Sequence, residues 1–285
     1  MMNQNDITHT DNGAYYDRRP SFVFRLVPQG ALHTGLWESG TWNQVQAVRN
    51  TDRLVETLLD LKSGEAVLDA GCGTGSTAVY LAERHNVHIT GITLAEKLVG
   101  VCRIFANRSK AAKRLKFALA DYTATDFADN SFDKVYALES QSYAPDKTAF
   151  LKEAFRVLKP GGKLVVVEYF KRSDNLDTEA KSAYDRMVAG LHMHSLVTAK
   201  TYQKQLADAG FGTVEMVDKT TKVLPSGFSW TMYGLCTLPV FRLAELIGVI
   251  EKDGMVRQAS GCAAMYPAFR HAVDYMSVTA VKPAK

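Results

Sequence analysis

The chain has 285 residues, with 34 Lys and Arg against 30 Asp and Glu, for a formal net charge of +4. At 46% hydrophobic and 22% charged residues it has the composition of a globular protein able to bury a sizeable core, which excludes disorder, collagen and coiled coil. The length suits one large decorated domain. The surplus charge is small and scattered, with no basic arm interleaved with aromatics, so nucleic acid is excluded as a partner while an anionic small molecule is not.

The opening run MMNQNDITHTDNG is polar and lacks the apolar core of a signal peptide, so export is not expected. Cys72, Cys102, Cys236 and Cys262 have no paired spacing of a zinc site or redox dithiol and read as reduced thiols of a cytoplasmic protein. Residues 1–45, rich in aromatics (Tyr15, Tyr16, Phe22, Phe24, Trp37, Trp42), read as an N-terminal cap segment ahead of a main domain over 46–285. From residue 65 short β-rich runs alternate with helical periods, the pattern of a parallel sheet covered on both faces. Strands are expected at 65–70, 87–92, 115–119, 132–138 and 163–169, with two later ones at 213–217 and 275–281. Helices are expected at 75–84, 95–108, 148–158 and 199–209, the third stopped by Lys159-Pro160-Gly161-Gly162. Segments at about 173–198 and 226–272 break the alternation and read as helical cap insertions, apolar on one side, over the substrate crevice. Within the last of them, residues 232–250 are long and apolar. They contain Pro239, Arg242 and Glu245, costly at mid-bilayer, so no membrane insertion is expected and the segment reads as a buried or ligand-facing helix.

The most informative run is Val67-Leu68-Asp69-Ala70-Gly71-Cys72-Gly73-Thr74-Gly75-Ser76, a strand entering a glycine-rich turn ahead of a helix. Glycines there remove side-chain bulk, so a ligand can lie directly on the main chain. Ser76 stands where a dinucleotide fingerprint places its third glycine or alanine, and the Lys-Ser/Thr pair of a phosphate loop is lacking. A nucleotide-like ligand without a pyrophosphate fits better, and Asp69 suits one that carries an amine.

The run LDAGCGTGS resembles the first motif of class I S-adenosylmethionine-dependent methyltransferases. The resemblance continues through Ala120-Asp121-Tyr122, Phe132-Asp133-Lys134-Val135-Tyr136 and Arg156-Val157-Leu158-Lys159-Pro160-Gly161-Gly162, that family's landmarks in order over about residues 60–170. It implies a Rossmann-like α/β fold, a mostly parallel seven-stranded sheet with helices on both faces and a helical, aromatic cap. It also implies S-adenosylmethionine as cofactor. Gly71, Cys72, Gly73 and Gly75 would then line its methionine part with Asp69 near it, and Asp121 and Tyr122 would meet the adenine. At the end of the second strand the family's ribose-binding acid is replaced by Gly91-Ile92-Thr93-Leu94-Ala95-Glu96, similar to the cyclopropane-synthase and sterol-methyltransferase branch. Thr93, with Leu94 beside it, is the expected ribose contact and Glu96 the second choice. Leu32-His33-Thr34-Gly35-Leu36-Trp37-Glu38 resembles a His-x-Gly-x-Trp element that closes over the cofactor in small-molecule members, a role that falls to Gly35 and Trp37 and leaves His33 as a capped turn residue.

Tyr136-Ala137-Leu138-Glu139-Ser140-Gln141-Ser142-Tyr143-Ala144-Pro145 is similar to a signature of sterol C-methyltransferases, and Glu139 matches the acid at the same strand end in terpenoid C-methyltransferases. The resemblance implies methylation of an alkene carbon of an isoprenoid, a prenyl diphosphate or a sterol-like terpenoid. The carbocation formed would be shielded by aromatic faces, then deprotonated or rearranged. Glu139 is then either the base that takes the proton or a group that orients the cofactor's amine or a loop. Glu168 is a second candidate acid, and Tyr143 lies beside them. Tyr15, Tyr16, Phe22, Arg25 and Tyr169 are the expected acceptor contacts, the tyrosines suiting a core role equally. A diphosphate would need cations, for which Arg18, Arg19, Arg25, Lys171 and Arg172 are placed, and Mg²⁺ would bridge its oxygens. A sterol needs neither. No metal-ligand set is read from the protein itself, since His192 and His194, two apart on an expected helix, diverge. The alternatives are an O- or N-methyltransferase of a small metabolite and a catalytically silent cofactor-binding scaffold. The partner expected is a small-molecule isoprenoid, with homo-oligomerisation left open.

Overall fold

The computed structural model describes Gly13, Asp17 and residues 30–250 and 254–284. Tyr15, Tyr16, Arg18, Arg19, Phe22 and Arg25 lie outside the described residues.

Seven strands form one sheet: β1 (Ala66–Ala70), β2 (His88–Thr93), β3 (Leu115–Leu119), β4 (Phe132–Leu138), β5 (Leu158–Lys171), β6 (Val214–Asp218) and β7 (Val273–Val281). Their order is β3-β2-β1-β4-β5-β7-β6, with β7 antiparallel to both neighbours and the other pairs parallel. In β5 the period of two divides the core: Val165 and Val167 belong to one apolar cluster, Leu164 and Val166 to the other, so both faces are covered. The strand order reverses between β1 and β4, which opens the crevice at their carboxyl ends.

The flanking helices are α1 (Gln44–Leu59), α2 (Ser76–Arg84), α3 (Glu96–Asn107), α4 (Lys147–Val157), α5 (Thr178–Gly190) and α6 (Ala199–Asp208). Side chains of Asn43, Asp146, Asp177 and Thr198 accept from the first-turn amides of α1, α4, α5 and α6, satisfying donors that a helix start leaves open. The expected strands and helices up to 209 all form, with ends shifted by a residue or two except in β5. There the expected stop at Lys159-Pro160-Gly161-Gly162 is the first part of the strand. Leu158 is already extended, and Gly161 N–H donates to Lys282 O while Lys282 N–H donates to Gly162 O, so the residue just past β7 supplies the partners that keep this stretch beside the sheet.

The segments expected as cap insertions hold α5 and, later in the chain, α7 (Thr220–Leu246), α8 (Gly254–Ala263) and α9 (Met265–His271). α7 departs from expectation: it is apolar around its circumference, and its outer half leaves Leu235, Val240, Leu243 and Leu246 exposed instead of buried. Among the described residues no helix is long and apolar enough to cross a membrane. His192 and His194 follow α5 in a turn, His192 at φ 57, and so are not on a helix. Where α5 crosses α8, Gly190 and Gly261 sit back to back; a Cβ on Gly261 would lie 2.7 Å from the Gly190 Cα. Backbone on both sides leaves nothing flexible to yield, so Gly261→Val is expected to cost about 3 kcal/mol, read as a lower denaturation midpoint.

Candidate active site

The glycine loop joins β1 to α2 at the switch point. Gly71 and Cys72 N–H both donate to Ile92 O, which ties the loop to the end of β2. Gly71, Gly73 and Gly75 all have positive φ. Their surroundings differ. A Cβ on Gly71 would meet the Ser140 Cβ at 2.4 Å, and one on Gly75 would meet the Phe117 ring at 2.8 Å. Around Gly73, among the described residues and beyond its chain neighbours, only the Leu32 side chain lies within 4 Å of an added Cβ, at 3.6 Å. Gly71 and Gly75 are therefore glycine for packing, whereas Gly73 faces an open cradle, the fit expected if the methionine part of a bound cofactor lies there.

Glu139 follows β4 at φ 48, a left-handed conformation that costs a residue other than glycine about 1 kcal/mol. The turn aims its carboxylate into a ring of donors. Oε1 accepts from Thr34 N–H and from the Tyr275 hydroxyl, each at 2.7 Å. Oε2 accepts from the Thr34 hydroxyl at 3.2 Å and from the Tyr169 hydroxyl. The Tyr169 ring packs on those of Tyr275 and Phe269, with centroids 5.3 and 5.9 Å away. The structure thus joins two expected residues, Glu139 and Tyr169, and adds Thr34 and Tyr275. Tyr169, expected as an acceptor contact, is buried with its hydroxyl on the Glu139 carboxylate. Tyr143 lies partly buried in the turn after Glu139 and packs on the core.

Glu168 points to the other face of the sheet. It is 3% exposed, and its carboxylate accepts from Ser142 N–H at 3.0 Å and Tyr169 N–H at 2.9 Å. It lines a small cavity with Gln141, Ser142, Lys147, Phe170 and Tyr202, with room for about one water. Burial pushes the Glu168 carboxyl up to about 7 and the Lys147 ammonium down to about 8. A folded-state value raised above the usual carboxylate range stabilises the protein fully at low pH, and this contribution fades as pH rises toward 7. Relative to wild type, Glu168→Gln should therefore gain up to about 3 kcal/mol between pH 4.5 and 7.5 in denaturant unfolding.

The segment before α1 crosses the loop, though not through the expected residues. Gly35 packs on Ala47 and Val48 of α1, and the Trp37 indole N–H donates to Ser226 of α7 at 3.0 Å. It is Gly30, accepting from the Thr74 hydroxyl at 2.5 Å, together with Leu32 and Thr34, that reaches the loop and Glu139. His33 is no capped turn residue: it is buried, with Nε2 3.3 Å from Asp52. The alternation of side chains along an extended segment, with Thr34 on the Glu139 side and His33 against α1, is the signal that could have found both.

Of the residues expected to meet the adenine, Asp121 accepts from Thr123 N–H and hydroxyl at 2.8 and 2.7 Å, and the Tyr122 hydroxyl donates to Ser140 O at 2.7 Å. Thr93 is buried, its hydroxyl accepting from Ala95 N–H at 3.3 Å; Leu94 is half-buried and Glu96 exposed at the start of α3. Of the cations expected at the mouth, the two among the described residues are engaged elsewhere. Arg172 pairs with Asp274 at 2.7 Å and donates to the Phe269, Arg270 and Val273 carbonyls, while Lys171 lies 3.8 Å from Asp174. Among the described residues no group of three or more His, Cys, Asp or Glu is arranged to hold a metal.

The chain therefore has the fold and loop of a protein that binds a nucleoside-bearing cofactor on bare backbone beside an anchored carboxylate. A family model described as a methyltransferase domain matches residues 68–166. The 27-O-demethylrifamycin SV methyltransferase of Amycolatopsis mediterranei is 35% identical over 79% of this chain and 80% of that protein. A wheat phosphoethanolamine N-methyltransferase is 34% identical over 70% of this chain, which spans only 36% of its length. Among solved structures, the [4+2]-cyclase SpnF superposes with TM-score 0.78 at 25% identity over 98% and 97% of the two chains. Geranyl diphosphate C-methyltransferase from Streptomyces coelicolor gives 0.74 at 16% identity over 97% and 98%. The chain belongs to the class I S-adenosylmethionine-dependent methyltransferases and is an enzyme of that family.

Proposed function

We propose that the enzyme methylates a hydroxyl oxygen on a largely apolar, uncharged small molecule. The observation that carries this reading is the Glu139 ring together with the engaged cations: a fixed negative charge stands at the β4 end, and neither described cation expected there is offered to an anionic acceptor. The cofactor supplies an electrophilic methyl on a sulfonium sulfur. The protein's tasks are then orientation, exclusion of water and placement of charge. Glu139 stabilises the positive charge that develops on the acceptor oxygen and receives its proton as one hydroxyl donor swings away. The rifamycin relative, named for an O-demethylated substrate and similar over most of both chains, supports an oxygen acceptor.

A second reading, methylation of an alkene carbon of an isoprenoid, is favoured by the Tyr169, Tyr275 and Phe269 rings beside Glu139, which would serve a carbocation equally well. Within it a sterol-like acceptor stands ahead of a prenyl diphosphate, and Mg²⁺ belongs to the diphosphate case alone. In either reading the cap segments before residue 45 and at 173–198 and 226–272 shape the acceptor side. Incubation with methyl-labelled cofactor and a panel of hydroxylated polyketides, sterols and prenyl diphosphates, with and without Mg²⁺, tests both. Label is expected on oxygen; label on carbon would establish the second reading and overturn the first.

A further inference from the structure

Beneath the glycine loop lies a buried charge cluster that the roles above do not use. Asp69, two residues before Gly71 at the end of β1, is 2% exposed and accepts from the Tyr136 hydroxyl of β4 at 2.6 Å. His33, in the segment before α1, favours its charged form electrostatically, and the Asp69 charge in turn helps push up the Cys72 thiol of the loop. Behind His33 stands Asp52 of α1, which accepts from Thr77 of α2 at 2.8 Å and pairs with Arg49 at 3.0 Å. Asp52 thus has Arg49 and His33 against its charge. Asp69 has a neutral phenol in contact and shares His33 with Asp52 and Glu139. Burial lifts its carboxyl to about 7, the Tyr136 bond and His33 holding it lower than burial alone would. A charge arriving at the loop therefore moves a proton at Asp69 more readily than at any paired carboxylate nearby.

We propose that Asp69 is a specificity residue for cofactor charge, losing a proton when the sulfonium form binds and regaining one when methyl transfer leaves the thioether. The balance closes: sulfur keeps the electron pair of the broken S–CH₃ bond and loses its positive charge, while a proton from solvent enters at the Asp69 carboxylate. The buried site carries the same net charge before and after. The inference rests on the loop holding the methionine part of the cofactor. Since Asp69 holds its proton below about pH 7 and is anionic above it, affinity for S-adenosylmethionine rises with pH up to about 7 and then levels off, while affinity for S-adenosylhomocysteine does not change.

The test is titration calorimetry of the whole chain with each ligand from pH 6 to 8, in buffers of differing ionisation enthalpy. Wild type is expected to gain about tenfold in preference for S-adenosylmethionine across that range and to release more protons on binding it than Asp69→Asn, which loses the gain. The difference between the two proteins removes the contribution of the cofactor's own amine. His33→Gln should move the gain to higher pH, because it deletes the cation that favours the carboxylate. Equal pH dependence and proton release in wild type and Asp69→Asn would overturn the proposal, as would an unmoved profile in His33→Gln should the Asn variant fail to fold. Failure of wild type to bind either ligand would instead refute the loop reading, and this proposal with it.

Discussion

Gly73→Val is expected to abolish cofactor binding while the protein stays folded. The position is at φ 53, which a side chain tolerates at about 1–2 kcal/mol, and among the described residues beyond its chain neighbours only Leu32 comes within 4 Å of the added Cβ. The branched side chain projects into the cradle that the cofactor's approach to the backbone requires. Calorimetric titration with S-adenosylmethionine should show at least about a hundredfold loss, a difference near 3 kcal/mol, with a denaturation midpoint only slightly lowered. Gly71→Ala is the informative contrast. Its Cβ would fall 2.4 Å from Ser140, whose hydroxyl donates to Ala70 O, so this smaller substitution should lower stability more than Gly73→Val does. Retained binding in Gly73→Val would refute the assignment of the loop.

Glu139→Gln is expected to leave cofactor affinity nearly unchanged and to reduce turnover by about a hundredfold or more, once the acceptor panel has supplied a substrate. The amide preserves volume and one acceptor oxygen but removes the negative charge and turns donors toward hydroxyls that already donate. Glu139→Ala should go further. It leaves Thr34 N–H and the Tyr169 and Tyr275 hydroxyls without their acceptor, a loss of about 2–4 kcal/mol in denaturant unfolding on top of the lost turnover. Full turnover in the Gln variant would sink every role for Glu139 at the reacting centre. Tyr275→Phe divides the question, because it removes one donor while leaving the carboxylate charged: a modest effect on rate would mark Tyr275 as a positioning residue.

The cofactor side was legible because its requirements are local. A strand, three glycines and a helix start are contiguous, and each leaves its own residue type in the chain; the sheet order then follows from the landmarks spaced along residues 60–170. The acceptor side was legible only in part. Glu139 could be picked out at a strand end, but whether its carboxylate was free or encircled could not, since Thr34, Tyr169 and Tyr275 stand 105, 30 and 136 residues away along the chain. Glu168 read as a companion acid and proves to face the opposite side, because adjacent residues of a strand alternate faces and Tyr169 takes the Glu139 side.

The opening charge balance shows the same division. The +4 surplus raised the question of a convergent cationic mouth. The fold spends Arg172 on the start of β7 and sets Lys171 near Asp174, while gathering His33, Asp52 and Asp69 beneath the loop, a cluster no spacing announces. Cys72 and Cys102, unpaired by sequence separation, likewise come to rest with sulfurs 3.9 Å apart. By itself the sequence determined the family, the sheet and the glycine loop at its switch point, since backbone geometry and burial period are written in neighbouring residues. The tertiary structure alone decided which charges are shared, screened or aimed at the crevice, because hydrogen bonds and ion pairs form between side chains that chain order does not relate.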